Sequence, residues 1–147
     1  MQSTKKQAYA LLRLTMGVDM LLHGLTRIGS GADGFASTVT KEFQATVLPA
    51  PLVHAFALLL PFAEALLGLL LILGLFTRGT LILCSLLMVA LVFGTALRSE
   101  WNTVGLQLIY AVVYYLLLAN FEHNGYAIDS LRHGPSFAPV KSPDMTP

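Results

Sequence analysis

Three long apolar segments dominate this sequence and restrict what it can fold into. They are 52–76, 80–97 and 104–121, and the last two contain no Asp, Glu, Lys or Arg. A helix crosses the apolar core of a bilayer with about 20 mostly apolar residues. Charged residues make up only 12% of the chain, about half of their usual share of roughly 25% in soluble domains. The sequence therefore predicts membrane-spanning helices.

A fourth segment, 8–28, is less apolar than the other three. It carries Arg13, Asp19, His23 and Arg27. These charges, and the absence of a small-residue cleavage site after them, argue against a cleaved signal peptide. We interpret the segment as a retained first span whose polar face points into a bundle. The predicted domain, 1–131, then has spans at about 8–28, 52–76, 80–97 and 104–121.

The connections between the spans predict how they are arranged. Short polar links at 77–79 and 98–102 favour antiparallel hairpins. The long connection, 29–51, repeats apolar residues every four positions from Phe35 to Val47, which indicates a short interfacial helix between spans 1 and 2. The proline-rich stretch 132–147 predicts a disordered tail. The expected fold class is all-α, an integral membrane four-helix bundle.

The distribution of basic residues predicts the orientation in the membrane. Four spans put both termini on one side, and that side also carries most of the basic residues. The two sets are Lys5, Lys6, Arg78, Arg132 and Lys141 on the terminal side, against Arg27, Lys41 and Arg98 on the other. Because cytoplasmic loops are enriched in Lys and Arg, both termini are expected in the cytoplasm.

Several classes of function are disfavoured by composition. The net charge is +1 and no basic stripe occurs, so a nucleic-acid partner is not expected. Cys84 is the single cysteine, which excludes an internal disulfide and a Cys-x-x-Cys redox pair. The four histidines and one cysteine show no zinc-type spacing, so no metal is expected.

Charges inside the predicted spans are the strongest indication of a site. An ionised side chain at membrane depth is costly unless it is paired or hydrated, so it usually faces the bundle interior. One interpretation is a catalytic polar site between spans 1 and 2, built from Arg13 or His23 with Asp19 and Glu64. It could bind a polar headgroup, hold a quinone carbonyl or relay protons. The alternative is a structural ion pair in which Glu64 neutralises Arg13 or Arg27.

The last span presents a second set of polar side chains. Gln107, Tyr110 and Tyr114 share one helical face. With Arg27 they are candidates for binding a quinone or a lipid headgroup. Such residues more often hydrogen-bond to neighbouring helices, and both possibilities stay open.

Motifs in three segments resemble the DoxX family of small four-helix membrane proteins. They are Leu12-Arg13-Leu14, Gly17, His23-Gly24-Leu25 and Arg27; Glu64, Gly68-Leu69-Leu70-Leu71 and Leu73-Gly74-Leu75-Phe76-Thr77-Arg78; and Gly125-Tyr126-Ala127-Ile128-Asp129. The resemblance implies a four-helix bundle in a bacterial inner membrane. Well-known members are described as membrane subunits of thiosulfate:quinone oxidoreductase. In this resemblance, the positions that match the family's polar pattern are Arg13, His23, Arg27, Glu64 and Asp129.

These observations predict a quinone-interacting membrane subunit of an oxidoreductase system. The expected cofactor is a quinone, and the expected catalytic residues are His23, Glu64 and Arg13. Because no motif for a redox centre occurs, electrons would come from a protein partner or from a bound substrate. Membrane lipid and a redox partner are the expected partners, and a homo-oligomer is also compatible. The alternatives are a non-enzymatic scaffold or assembly partner, and a small-solute or proton transporter.

Overall fold

The computed structural model describes residues 2–132, and within this range the chain forms six α-helices, one short 3-10 helix (Phe121–His123) and no strand. The helices are α1 (Gln2–Gly29), α2 (Ala32–Glu42), α3 (Ala50–Leu73), α4 (Thr77–Leu97), α5 (Trp101–Ala119) and α6 (Ile128–Arg132). The prediction of an all-α fold is confirmed. The predicted tail at 132–147 lies, apart from Arg132, outside the described residues.

Three of these helices, α3, α4 and α5, are long and apolar enough to cross a membrane. They correspond to the three strongest predicted spans. α1 is longer still, with 28 residues, but Arg13, Asp19 and Arg27 lower its overall hydropathy. Among the described residues, length and composition therefore identify three candidate spans, and α1 is not one of them.

The ends of α3 are set by proline and glycine. Pro49 has an extended backbone, and Pro51 lies in the first turn, where a missing N–H costs nothing. Gly74 ends the helix with φ 65°, a left-handed conformation that glycine adopts without steric cost. The predicted second span extended to residue 76, but this glycine ends the helix at Leu73.

The predicted helix in the long connection is present as α2. It begins at Ala32 and ends at Glu42, whereas the apolar stripe suggested a helix from Phe35 onwards. Residues 43–48 form turns that lead into Pro49. α2 packs against α3, and the side chain of Ala36 is fully buried there.

Glycines allow α1 and α3 to pack at very short distance. A Cβ added to Gly24 would lie 2.4 Å from the carbonyl oxygen of Pro61. A Cβ on Gly17 would lie 2.8 Å from Ile72, and one on Gly68 would lie 2.4 Å from the backbone nitrogen of Leu21. Small residues of this kind let membrane helices approach closely enough for extensive van der Waals contact. α4 packs mainly along α5.

The chain after α5 returns to the turn between α3 and α4. The Asp129 carboxylate accepts hydrogen bonds from the backbone N–H of Phe76 (2.8 Å) and of Thr77 (2.7 Å) and from the Thr77 hydroxyl (2.9 Å). Phe76 has φ 47°, which is unfavourable for a residue with a side chain. Asp129 thus caps the start of α4 from 52 residues further along the chain.

Candidate functional site

A cavity of about 490 Å³ lies between α2, the first half of α3, the end of α4 and the start of α5. Its volume falls within the range of roughly 300–1,000 Å³ that is usual for small-molecule sites. Most of its wall is apolar, and its aromatic and aliphatic lining includes Phe35, Phe43, Leu52, Phe56, Leu60 and Phe93. α2 and the turn after it form the roof.

Arg27 contributes a charge at one edge of the cavity, and this charge is neutralised. Its guanidinium donates hydrogen bonds to the carboxylate of Glu64, which is 5% exposed in the middle of α3. The guanidinium also lies over the ring of Phe35, 4.8 Å from the ring centroid. Salt bridge and cation–π contact together join α1, α2 and α3.

Arg98 repeats this arrangement at the end of α4. Its guanidinium is 2.9 Å from the carboxylate of Glu42 and 3.7 Å from that of Glu100. It also lies over the ring of Phe43, 5.4 Å from the centroid. Both arginines of the cavity are therefore paired with carboxylates, and the lining carries no excess positive charge.

A third polar group of the lining joins α4 to α5. The side-chain amide nitrogen of Gln107 is 2.9 Å from the Thr95 hydroxyl, and the amide oxygen is 3.0 Å from it. The same hydroxyl lies 2.5 Å from the carbonyl oxygen of Leu91. Gln107 is thereby held against the cavity wall by a residue that is itself 9% exposed.

The structure brings together three of the polar residues that the sequence indicated. Arg27 and Gln107 line the cavity, and Glu64 is bonded to Arg27 rather than to Arg13. The seam between α1 and α3 is closed by this ion pair and by the glycine contacts. The open space lies beside that seam, under α2.

Arg13 lies at the opposite end of α3 from the cavity. Its guanidinium donates to Asn124 Oδ1 (3.1 Å) and to the backbone carbonyl of Tyr126 (2.7 Å). It also packs over Gly74, where a Cβ would come 2.0 Å from Nη1. The buried arginine therefore attaches the segment after α5 to the end of α3.

The other predicted site residues lie outside the cavity lining. His23 is half exposed, and its Nδ1 is 2.9 Å from the Asp19 carbonyl oxygen and 3.5 Å from the Asp19 carboxylate. The hydroxyl of Tyr114 donates to the sulfur of Met20 in the buried core, at 3.5 Å. Tyr110 packs against the same core.

Most of the cavity lining was missed by sequence reasoning, and four of its residues show why. Phe35 and Phe43 were recognised only as the apolar stripe of an interfacial helix, and that stripe was the signal that could have identified them. Arg98 was counted as a loop charge. Thr95 had no signal, because a threonine inside an apolar run commonly bonds to its own helix backbone.

A second cavity, of about 600 Å³, lies at the other end of the molecule around the start of α4. Its lining includes Thr77, Arg78, Asn124 and Asp129. None of the predicted site residues lines it. Two of its polar residues, Thr77 and Asp129, form the cap of α4, and Asn124 accepts a hydrogen bond from Arg13, which favours a structural role for this region.

Comparison with known protein families identified a match. The model of the DoxX family matches residues 8–98, a segment that contains α1, α2, α3 and α4 almost completely. No curated protein and no solved structure matched the chain.

Proposed function

Because this chain belongs to the DoxX family, we propose that it is a quinone-binding membrane subunit of an oxidoreductase system. The family and the three apolar helices make it an integral membrane protein in contact with lipid. The cavity under α2 is the proposed quinone site. The observation that carries the proposal is the combination of apolar walls with a few fixed polar groups in this one space.

The charge balance of the cavity favours an uncharged ligand. Arg27 is neutralised by Glu64, and Arg98 by Glu42 and Glu100. An anionic substrate would lack an unpaired cation in this site, and its desolvation would be uncompensated. A quinone headgroup needs only hydrogen-bonding groups and an apolar slot, both of which the lining offers.

The exposed part of the lining supports access from the lipid phase. Leu52 and Phe56 on α3 and Phe93 on α4 line the cavity, and each side chain is at least 40% exposed. Apolar side chains of this kind face acyl chains in a spanning protein. A membrane-soluble ligand could then reach the cavity between α3 and α4 without crossing water.

The polar seam supports α1 as a fourth span. Gly17 contacts Ile72, whereas Gly24, further along α1, contacts Pro61, earlier in α3. This reversed order supports antiparallel helices, and Glu64 supplies the counterion that Arg27 needs at membrane depth. We therefore propose a four-helix bundle with antiparallel hairpins.

The proposed bundle also has an orientation. The Lys/Arg balance supports cytoplasmic termini in a bacterial inner membrane. With this orientation, the cavity lies near the outer face of the membrane.

A bound quinone would accept two electrons and two protons. The residues of this chain would bind and orient it, and a protein partner or a second substrate would supply the electrons. A homo-oligomer is compatible with this arrangement.

The experiment uses the single tryptophan as a reporter. Trp101 lies two residues before Thr103, which lines the cavity, and quinones quench indole fluorescence by contact. The full chain in lipid nanodiscs is titrated with a short-chain benzoquinone, and saturable quenching is expected. Ala90→Phe fills the cavity from its exposed edge and should abolish the saturable component. Val89→Phe is the matched control, because Val89 is 66% exposed and does not line the cavity.

Two results would count against the proposal. The first is linear, non-saturating quenching in the wild-type protein, which would indicate partitioning into lipid alone. The second is equal quenching by the wild type and by Ala90→Phe, which would place the quinone outside this cavity. Recovery of a stoichiometric protein partner together with non-saturating quenching would instead support the scaffold alternative.

A further inference from the structure

The hydroxyl of Thr95 is hydrogen-bonded to the side-chain amide of Gln107. Among the described residues, this is the only side-chain amide that lines the cavity. A hydroxyl has a single proton to donate and can accept further hydrogen bonds. Two acceptors compete for that proton, namely the Leu91 carbonyl oxygen at 2.5 Å and the amide oxygen of Gln107 at 3.0 Å, while the amide nitrogen of Gln107, at 2.9 Å, donates to the hydroxyl oxygen. The position of that one proton therefore determines which atoms of Gln107 are used within the protein.

Two arrangements satisfy this geometry. When the Thr95 proton goes to Leu91, Gln107 donates one N–H to Thr95 and keeps its amide oxygen for another partner. When the Thr95 proton goes to the Gln107 oxygen, both N–H groups of the amide become available. Rotation of one hydroxyl thus changes how many donor and acceptor sites the amide keeps free, from one N–H and an unused oxygen to two N–H groups and an oxygen with one remaining lone pair, without moving either helix.

We propose that Thr95 is a positioning residue that lets Gln107 recognise the oxygen of a ligand headgroup in either form, carbonyl or hydroxyl. This inference rests on the proposed function, because it assigns a role within the same cavity. A quinone offers a carbonyl acceptor, and its reduced form offers a hydroxyl donor. The Gln107 amide offers both an N–H donor and an oxygen acceptor, so it is complementary to both forms while Thr95 holds it in place, whereas a group that only donates is complementary to the carbonyl form alone.

The alternative is that Thr95 and Gln107 only bond α4 to α5. The two interpretations differ in what they predict for ligand selectivity. If the Thr95–Gln107 bond only joins the two helices, its loss lowers the stability of the protein and changes the affinity for all ligands of the cavity equally. A positioning role affects only ligands that carry an oxygen on the ring.

The test measures two ligands with each variant in nanodiscs, the quinone by the quenching assay described above and the second ligand by its displacement of the bound quinone. The probes are a short-chain alkyl benzoquinone and an alkylbenzene of equal chain length that has no oxygen. Thr95→Val keeps the shape of the side chain and removes the hydroxyl, and Thr95→Ser keeps the hydroxyl. Gln107→Leu removes the amide.

The expected result is a loss of selectivity. The ratio of quinone to alkylbenzene affinity should fall about tenfold in Gln107→Leu and in Thr95→Val, since tenfold corresponds to about 1.4 kcal/mol, the value of one good hydrogen bond. Thr95→Ser should keep the wild-type ratio. The reduced quinol should lose affinity in Thr95→Val in the same way.

The inference is overturned if Thr95→Val keeps the wild-type ratio while the wild type binds the quinone saturably, and the proposed function then stands. It is also overturned if Thr95→Ser and Thr95→Val lose selectivity equally, because the hydroxyl is then not the cause. Absence of saturable quinone binding by the wild type overturns both proposals. Helical content and thermal midpoint, measured for each variant, identify a variant that has simply unfolded.

Discussion

Replacement of Gly24 by alanine should separate α1 from α3. The new Cβ would lie 2.4 Å from Pro61 O and from Ala65 N, and ordinary contact begins at 3.4 Å. The helices must therefore move apart by 3.4 − 2.4 = 1.0 Å at this point, because neither backbone atom can rotate away. A gap of about 1 Å removes up to roughly half of the dispersion energy of each affected contact. We expect a cost of about 1–3 kcal/mol, as for other overpacked sites.

The matched control is Gly105→Ala on α5. Gly105 has no atom within 4 Å of an added Cβ, so only the helix propensity changes there, by up to about 1 kcal/mol in favour of alanine. The two variants are compared by reversible unfolding in mixed micelles, with helical circular dichroism as the signal. Gly24→Ala should unfold earlier than the wild type and Gly105→Ala should not. Equal stabilisation in both would refute the close packing of α1 on α3.

Three further changes probe the other polar contacts. Asp129→Ala removes the acceptor of two backbone N–H groups and one hydroxyl, so the free energy of unfolding should fall by about 1–3 kcal/mol. Amide exchange at the start of α4 should become faster, and Asp129→Asn should give an intermediate result. Glu64→Ala leaves Arg27 without its counterion and should lower the free energy of unfolding by about 3 kcal/mol. Replacement of both Arg27 and Glu64 by leucine should recover most of this loss. No recovery would argue against the ion pair. Arg13→Lys cannot reach both Asn124 and Tyr126, so limited proteolysis after α5 should accelerate by about tenfold, a change of roughly 1.4 kcal/mol; an unchanged cleavage rate would contradict this role.

The apolar runs were enough to predict the helices, because burial in lipid requires a specific length and composition. Their ends were less predictable. α3 ends three residues earlier than the apolar run because Gly74 takes a left-handed conformation, and α6 was not predicted at all. α6 has five residues and is anchored by Asp129, whose partners lie more than 50 residues earlier. Such contacts leave no local pattern in a sequence.

The candidate site was only partly predictable for a similar reason. Charges at membrane depth identified Glu64 and a possible ion pair with Arg13 or Arg27. Which arginine pairs with Glu64 depends on the register between α1 and α3, which is fixed by the glycine contacts and not by hydropathy. The cavity itself depends on where α2 packs. The spacing of Phe35 and Phe43 predicts an apolar helix face but not the part of the protein against which that face packs. Only the tertiary structure assigns that face to the roof of a cavity.

The attachment of Arg13 to the end of the chain has a consequence for biogenesis. Both of its hydrogen-bond acceptors lie 111 and 113 residues later, after every long helix has been made. A chain leaves the ribosome from its N-terminus, so the first helix must wait with an unsatisfied guanidinium until the last segment emerges. We therefore expect α1 to stay at the membrane surface, or loosely inserted, until synthesis passes Tyr126. Stalled chains that end before Asn124 should leave a cysteine placed in α1 open to a water-soluble thiol reagent, and chains that end after α6 should protect it.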